Sequence, residues 1–141
     1  MGSVSRRPAL LAWVRLARVF QQIDRATASG LRAWGLSVAQ FDVLAQLGTA
    51  EGLTQQELAD RLLVTKGNVS QLIARMEGRG LIRRCQEGRA MRLFLTPAGR
   101  DLHDAATGAQ ERLIADRFAA LTPDEQRQLL ALLRTLDRAQ P

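Results

Sequence analysis

The chain holds very few of the residues on which metal and redox chemistry depend. Its 141 residues include one cysteine and one histidine. One cysteine excludes an internal disulfide, and one histidine leaves too few ligands for a Cys/His metal cluster. The sequence has no glycine-rich phosphate loop and no nucleophile elbow, and neither Cys85 nor His103 has an evident third partner. Nothing in it assembles a catalytic constellation, so the chain is not expected to be an enzyme. No apolar run approaches the ~20 residues that a bilayer span demands. The opening MGSVSRRPALLAWVRLARVF puts two arginines ahead of apolar residues, as a signal peptide does. Arg15 and Arg18 break that run and no small-residue cleavage site follows, so it reads as helix. Internal repeats, low-complexity tracts and long linkers are also missing. What remains is a single domain over residues 1–141, 46% hydrophobic and 24% charged, which is ordinary globular composition. The expectation is a cytoplasmic protein without cofactor, metal or membrane attachment.

Charge is unevenly placed. From Asp60 to Arg100 nine basic residues (Arg61, Lys66, Arg75, Arg79, Arg83, Arg84, Arg89, Arg92 and Arg100) face three acids (Asp60, Glu77 and Glu87). That stretch carries the whole net charge of +6, because the rest of the chain balances. Clustered positive charge is the footprint of phosphate binding.

Helix signals recur along the chain. Leu10, Trp13, Val14, Ala17, Phe20 and Ile23 form a helical stripe between Pro8, suited to a first turn, and Gly30, a possible stop. Ser37 with Gln40, and Thr54 with Glu57, have the spacing of capping boxes. The first opens a helix bearing Phe41, Val43, Leu44 and Leu47; the second opens a short helix with Leu58, Leu62 and Leu63 inward. Thr65 can cap the next helix, whose apolar arc is Val69, Leu72, Ile73 and Met76. Its opposite arc, Gly67, Ser70, Gln71 and Ala74 flanked by Asn68 and Arg75, is small and polar with no long acidic side chain. Leu81–Cys85 and Met91–Leu95 read as two strands joined by a turn-like QEGRA, which makes a hairpin. Thr96-Pro97 and Thr122-Pro123-Asp124-Glu125 are strong helix starts, the second with a leucine-rich helix behind it.

A short helix, a turn, a second helix with a polar outer face and a hairpin form a winged helix-turn-helix. The expected fold is mainly α with a small β-hairpin (α+β), the winged lobe occupying residues 36–96. The second helix suits the ~12 Å major groove of duplex DNA. Asn68, Ser70, Gln71 and Arg75 carry donors and acceptors for base edges or nearby phosphates. Lys66, the only lysine, suits a phosphate at the helix start, with Thr65 beside it. Thr54 offers its hydroxyl and its helix amides to another phosphate. Arg84 joins this DNA-facing set from the first wing strand. Arg89, at the hairpin tip, can extend into a minor groove. The competing reading, a winged helix serving as a protein–protein adaptor, predicts an apolar or acidic outer face, which the stretch from Asn68 to Arg75 lacks.

At these residues the chain resembles the MarR family of bacterial transcription regulators. The likeness is strongest in LTQQELADRLLVTKGNVSQLIARMEGRGLIRR, from Leu53 to Arg84, and in the wing ending Leu95-Thr96-Pro97-Ala98-Gly99. Members share a wing signature of Asp-any-Arg, five residues, then Leu-Thr-any-any-Gly. Arg89 and the Leu95–Gly99 segment fit it, Glu87 stands where Asp is usual, and the hairpin is shorter than the common form. The resemblance implies a homodimer whose N- and C-terminal helices, here residues 8–30 and 97–139, interlock as a base. Each lobe then presents its winged unit to half of a palindromic operator, with half-sites about one DNA turn (~34 Å) apart. It also implies a repressor released by a small, often aromatic or phenolic, effector or by cysteine oxidation. By the same resemblance an effector site lies between base and lobe, where Trp13, Trp34 and Phe41 are the candidate aromatics and Arg15 or Asp42 the polar partners. The plainer expectation is that these aromatics are core or dimer contacts. Cys85 is the candidate for a thiol-redox response, but the family's peroxide sensors carry their cysteine near the first helix. An unreactive strand cysteine is therefore expected, as is a surface His103.

Overall fold

The computed structural model describes residues 3–62 and 68–139. In chain order the elements are α1 (Ser3–Arg32), α2 (Val38–Thr49), β1 (Leu53–Thr54), α3 (Gln55–Arg61), α4 (Val69–Gly78), β2 (Ile82–Glu87), β3 (Ala90–Leu95), α5 (Pro97–Phe118) and α6 (Pro123–Arg138). No described helix is long and apolar enough to cross a membrane.

The caps read from the sequence at Ser37, Thr54, Thr96 and Thr122 are formed. Ser37 and Gln40, Thr54 and Glu57, and Thr122 and Glu125 each exchange side-chain and backbone bonds in a capping box, so orphan amides at three helix starts are satisfied locally. The first helix departs from expectation at both ends. It begins before Pro8, which lies inside it, and Gly30 does not stop it. Its stop is Gly35, at φ +67°. The Leu36 amide donates to the Leu31 carbonyl at 3.0 Å and the Gly35 amide to that of Arg32 at 3.0 Å. This is a Schellman ending, and its apolar pair, Leu31 and Leu36, is buried in the core. The same device closes α4, where Gly80 has φ +73° and the Leu81 amide reaches the Met76 carbonyl at 3.0 Å.

The hairpin is part of a three-stranded antiparallel sheet in the order β1-β3-β2. Leu53 pairs with Leu93 and Thr54 with Arg92, an edge strand too short to announce itself. Cys85 opposes Arg92, and Glu87 opposes Ala90. Gly88 and Arg89 are thus a two-residue loop, with positive φ at Gly88 alone (+63°), the pattern of a type II′ turn that follows strand twist.

Nearly the whole core lies in the lobe. Of the buried apolar side chains only Leu31 and Ala106 fall outside the segment from Leu36 to Leu95. The inward arc of α4 is as expected, with Val69, Ile73 and Met76 buried and Leu72 packed against the core. Joining lobe to base, Thr96 caps α5 by accepting from the Gly99 amide at 3.0 Å. Its own amide donates to the Leu81 carbonyl at 3.0 Å and its hydroxyl to that of Gly80 at 2.5 Å. A Cβ on Gly99 would stand 2.0 Å from the Leu81 oxygen. The Leu-Thr-any-any-Gly signature is therefore a joint in which α5 sits directly on the turn that ends α4.

His103 is not the surface histidine expected. Its side chain is 14% exposed, with Nδ1 3.0 Å from Asp104 Oδ1, and its ring fills the space a Cβ of Gly48 would need, Nε2 lying 2.5 Å away. It is a packing residue between α2 and α5, and Gly48 makes the room.

Candidate nucleic-acid interface

The two helices of the helix-turn-helix meet at their N-terminal ends. Gln55, at the start of α3, donates from its side-chain amide to the Ser70 hydroxyl at 2.5 Å. A concavity lined by Gln55, Gln56, Ala59, Asn68, Val69 and Ser70 opens there. Thr54 spends a lone pair on the Glu57 amide at 3.1 Å, which leaves the Gln55 and Gln56 amides as the unbonded donors of that helix start. Asn68, immediately before α4, has φ 55° and ψ 32° and makes no side-chain cap. Asparagine tolerates this left-handed conformation better than most residues. Thr65 and Lys66, expected to cap α4 and hold a phosphate, lie outside the described residues, as do Leu63 and Gly67.

On the outer face of α4, Ser70, Gln71, Ala74 and Arg75 are exposed together. The one acid of this helix, Glu77, is turned to β2 and pairs with Arg84 at 3.3 Å, so the polar arc carries no competing carboxylate. Arg84, expected to face DNA, makes this tie between β2 and α4 and remains exposed.

The basic stretch divides into two kinds of residue. Arg84 is paired with Glu77, Arg92 with Glu87 and Arg100 with Glu51. Arg79 donates to the Gly35 carbonyl at 2.8 Å, and Arg83 stacks 4.5 Å from the Phe94 ring centroid. Arg61, Arg75 and Arg89 are exposed and form no ion pair among the described residues. Counting charge along the sequence could not make this division, because each partner is brought in by the fold. Glu87 shows the same limit: it braces Arg92 at 3.0 Å and not Arg89 two positions away. Cys85 is exposed on β2.

The effector candidates are scattered by comparison. Trp34 lines a cleft of about 30 Å³ between α1 and α5, with Thr27, Leu31, Ala106, Gln110 and Leu113 among its neighbours. Trp13 and Arg15 are exposed on α1, Phe41 packs against the core, and Asp42 is buried. None of these four lines the Trp34 cleft. The Gln110 amide donates to the Thr27 hydroxyl at 2.9 Å, closing the cleft from α5.

Two packed helices, the second exposing a polar arc, with a hairpin whose tip carries an exposed arginine, define a winged helix-turn-helix of the DNA-binding class. The sequence model of the MarR family matches residues 34–92. An uncharacterised HTH-type transcriptional regulator of Bacillus cereus is 34% identical over 125 residues, covering 89% of this chain and 85% of that one. A MarR family transcriptional regulator from Silicibacter pomeroyi superposes with a TM-score of 0.81 at 27% identity, covering 99% of each chain. A Mycobacterium tuberculosis MarR family protein solved with p-aminosalicylic acid has a TM-score of 0.74 at 27% identity, over 88% of this chain and 96% of that one. The chain belongs to the MarR family of transcription regulators.

Proposed function

We propose that this regulator is a homodimeric repressor that binds a palindromic operator. The observation that carries the DNA contact is the carboxylate-free outer face of α4 together with Arg75 and Arg89, which form no ion pair among the described residues. In this reading Gln71, Asn68 and Ser70 address base edges. Thr54, Thr65, Lys66, Arg75 and Arg84 hold phosphates, and Arg89 lies along the adjacent minor groove. The dimer is supported by the base helices, which leave Trp13 (63%), Phe20 (67%), Leu132 (65%) and Leu136 (67%) open to solvent. Large apolar side chains left open in such numbers on the end helices fit an interface.

Release by a small aromatic ligand is proposed from the p-aminosalicylic acid held by the Mycobacterium tuberculosis relative. Of the expected set Trp34 carries the proposal, since Trp13, Arg15, Phe41 and Asp42 do not line its cleft. The Trp34 cleft, at about 30 Å³, has room for one or two waters and no more. A ring entering there must part α1 from α5, and that displacement is the proposed trigger.

Titrating a palindromic duplex, chosen by the protein from a random library, against salt tests the DNA contact. Log affinity should fall linearly with log salt, with a slope near −0.9 for each phosphate neutralised; a flat response refutes the proposal. Repeating the selection with Gln71→Ala should change the preferred bases, and an unchanged preference removes Gln71 as a reader.

A further inference from the structure

Arg92 lies on the middle strand β3 with both ends of its guanidinium engaged. Its Nε is 3.0 Å from Glu87 Oε2, and its Nη1 donates to the Gly52 carbonyl at 2.9 Å. The two acceptors belong to separate parts of the lobe. Glu87 ends β2, one residue before the loop that carries Arg89, and is the diagonal neighbour of Arg92 on the same sheet face. Gly52 lies in the turn leading to β1 and α3. It has φ +85°, with Phe94 and the Arg92 side chain against the position of a Cβ, so another residue there would be strained. Arg83 stacks on the same Phe94 at 4.5 Å, so the aromatic lies between the Arg83 guanidinium and this turn.

We propose that Arg92 is the positioning residue of the wing: by joining Glu87 to the Gly52 carbonyl it sets the angle at which the Arg89 loop stands to α3 and α4, without touching DNA itself. A hairpin of two strands is marginal alone, and the β1 side supports β3 through the Leu53–Leu93 and Thr54–Arg92 pairs and the Gly52 amide's bond to the Leu93 carbonyl at 3.0 Å. A cross-tie from the strand ends to the helix-turn-helix therefore decides how firmly the tip is held. The two bonds are unequal. The Glu87 carboxylate is 71% exposed, and a pair so wet contributes little. The bond to the Gly52 carbonyl is part-buried and charge-assisted, and it carries the brace.

This inference rests on the proposed contact of Arg89 with DNA, and the test separates the two. Binding of the full-length protein to the selected duplex is measured across salt for Arg92→Gln, Arg92→Lys, Glu87→Gln, Arg89→Ala and the Arg92→Gln/Arg89→Ala double variant. Amide exchange is followed in the DNA-free protein. Arg92→Gln should weaken binding by about tenfold, the worth of one charge-assisted hydrogen bond, with the salt slope unchanged. That loss should vanish in the Arg89→Ala background, because it acts through Arg89. Arg92→Lys, without a forked head to reach both acceptors, should recover only part of it, and Glu87→Gln should cost less than about threefold. In the free protein Arg92→Gln should speed exchange at Thr54 and in the Gly88–Arg89 loop. A slope reduced by about 0.9 per protomer would make Arg92 a phosphate contact and overturn the proposal, as would losses that simply add or exchange that does not change. Arg89→Ala with wild-type affinity would instead remove the Arg89 contact and the positioning role with it, while the exchange data would still report whether the brace exists.

Discussion

The lobe and the base of this molecule bury their apolar residues differently. Within the lobe, leucines from α2, α3, β1, β3 and the intervening turns, with Ile82 of β2, close on Ile73 and Met76, which are fully buried. The base has nothing comparable: α6 buries no residue at all, although its capping box is complete. A helix of 16 residues is marginal on capping and propensity alone. Its ties to its own chain are Gln126, whose amide donates to the Phe118 and Leu121 carbonyls at 2.9 and 3.2 Å, and the half-buried Leu129 and Leu133. The contrast teaches that the lobe's stability is a property of one chain, whereas the base, if paired as proposed, should gain stability with protein concentration.

Substitutions on either side can break that contrast. The largest effect is expected from Ile73→Ala, which leaves a cavity in the closed core and should cost about 2–5 kcal/mol in urea unfolding at any protein concentration. Phe20→Asp, on the open face of α1, should leave the lobe's unfolding alone. It should weaken self-association by about 2 kcal/mol or more, read by sedimentation; a lobe destabilised by Phe20→Asp would show that the two regions are not independent. Gly99→Ala lies on the boundary. Its methyl group has no space beside the Leu81 carbonyl, so about 1–3 kcal/mol of stability should be lost, and with it the fixed angle between α5 and the wing. The smallest effect is expected from a matched pair of caps. Thr54→Ala should cost about 1 kcal/mol by chemical denaturation, while Thr122→Ala should cost as much only where α6 is docked in a dimer.

The starts of α2, α3, α5 and α6 were legible because a cap is written within four consecutive residues. The inward arc of α4 and the tip position of Arg89 were legible for the same reason, being set by local period and turn chemistry. What escaped was decided at long range. β1 exists because Leu53 and Thr54 meet Leu93 and Arg92 across the lobe. The stop of α1 moved from Gly30 to Gly35 because Leu36 has a core to enter there. Arg84 is tied to Glu77, and Glu87 reaches Arg92 instead of Arg89. Sequence spacing names the charged residues, but only the fold assigns their partners. His103 carried no local signal of its place: Gly48, which makes room for it, is the second-to-last residue of α2, where a glycine reads as a helix stop.

The joint at Thr96 gives α5 the properties of a lever. The helix has 22 residues, which makes it about 33 Å long, and its near end is fixed to the α4–β2 turn by two hydrogen bonds that Thr96 donates to the Gly80 and Leu81 carbonyls. A swing of about 5° around that end displaces the far end by about 3 Å at this length. Read in reverse, a shift of a few ångströms in the base reaches the DNA-facing lobe as a small rotation with no slack to absorb it.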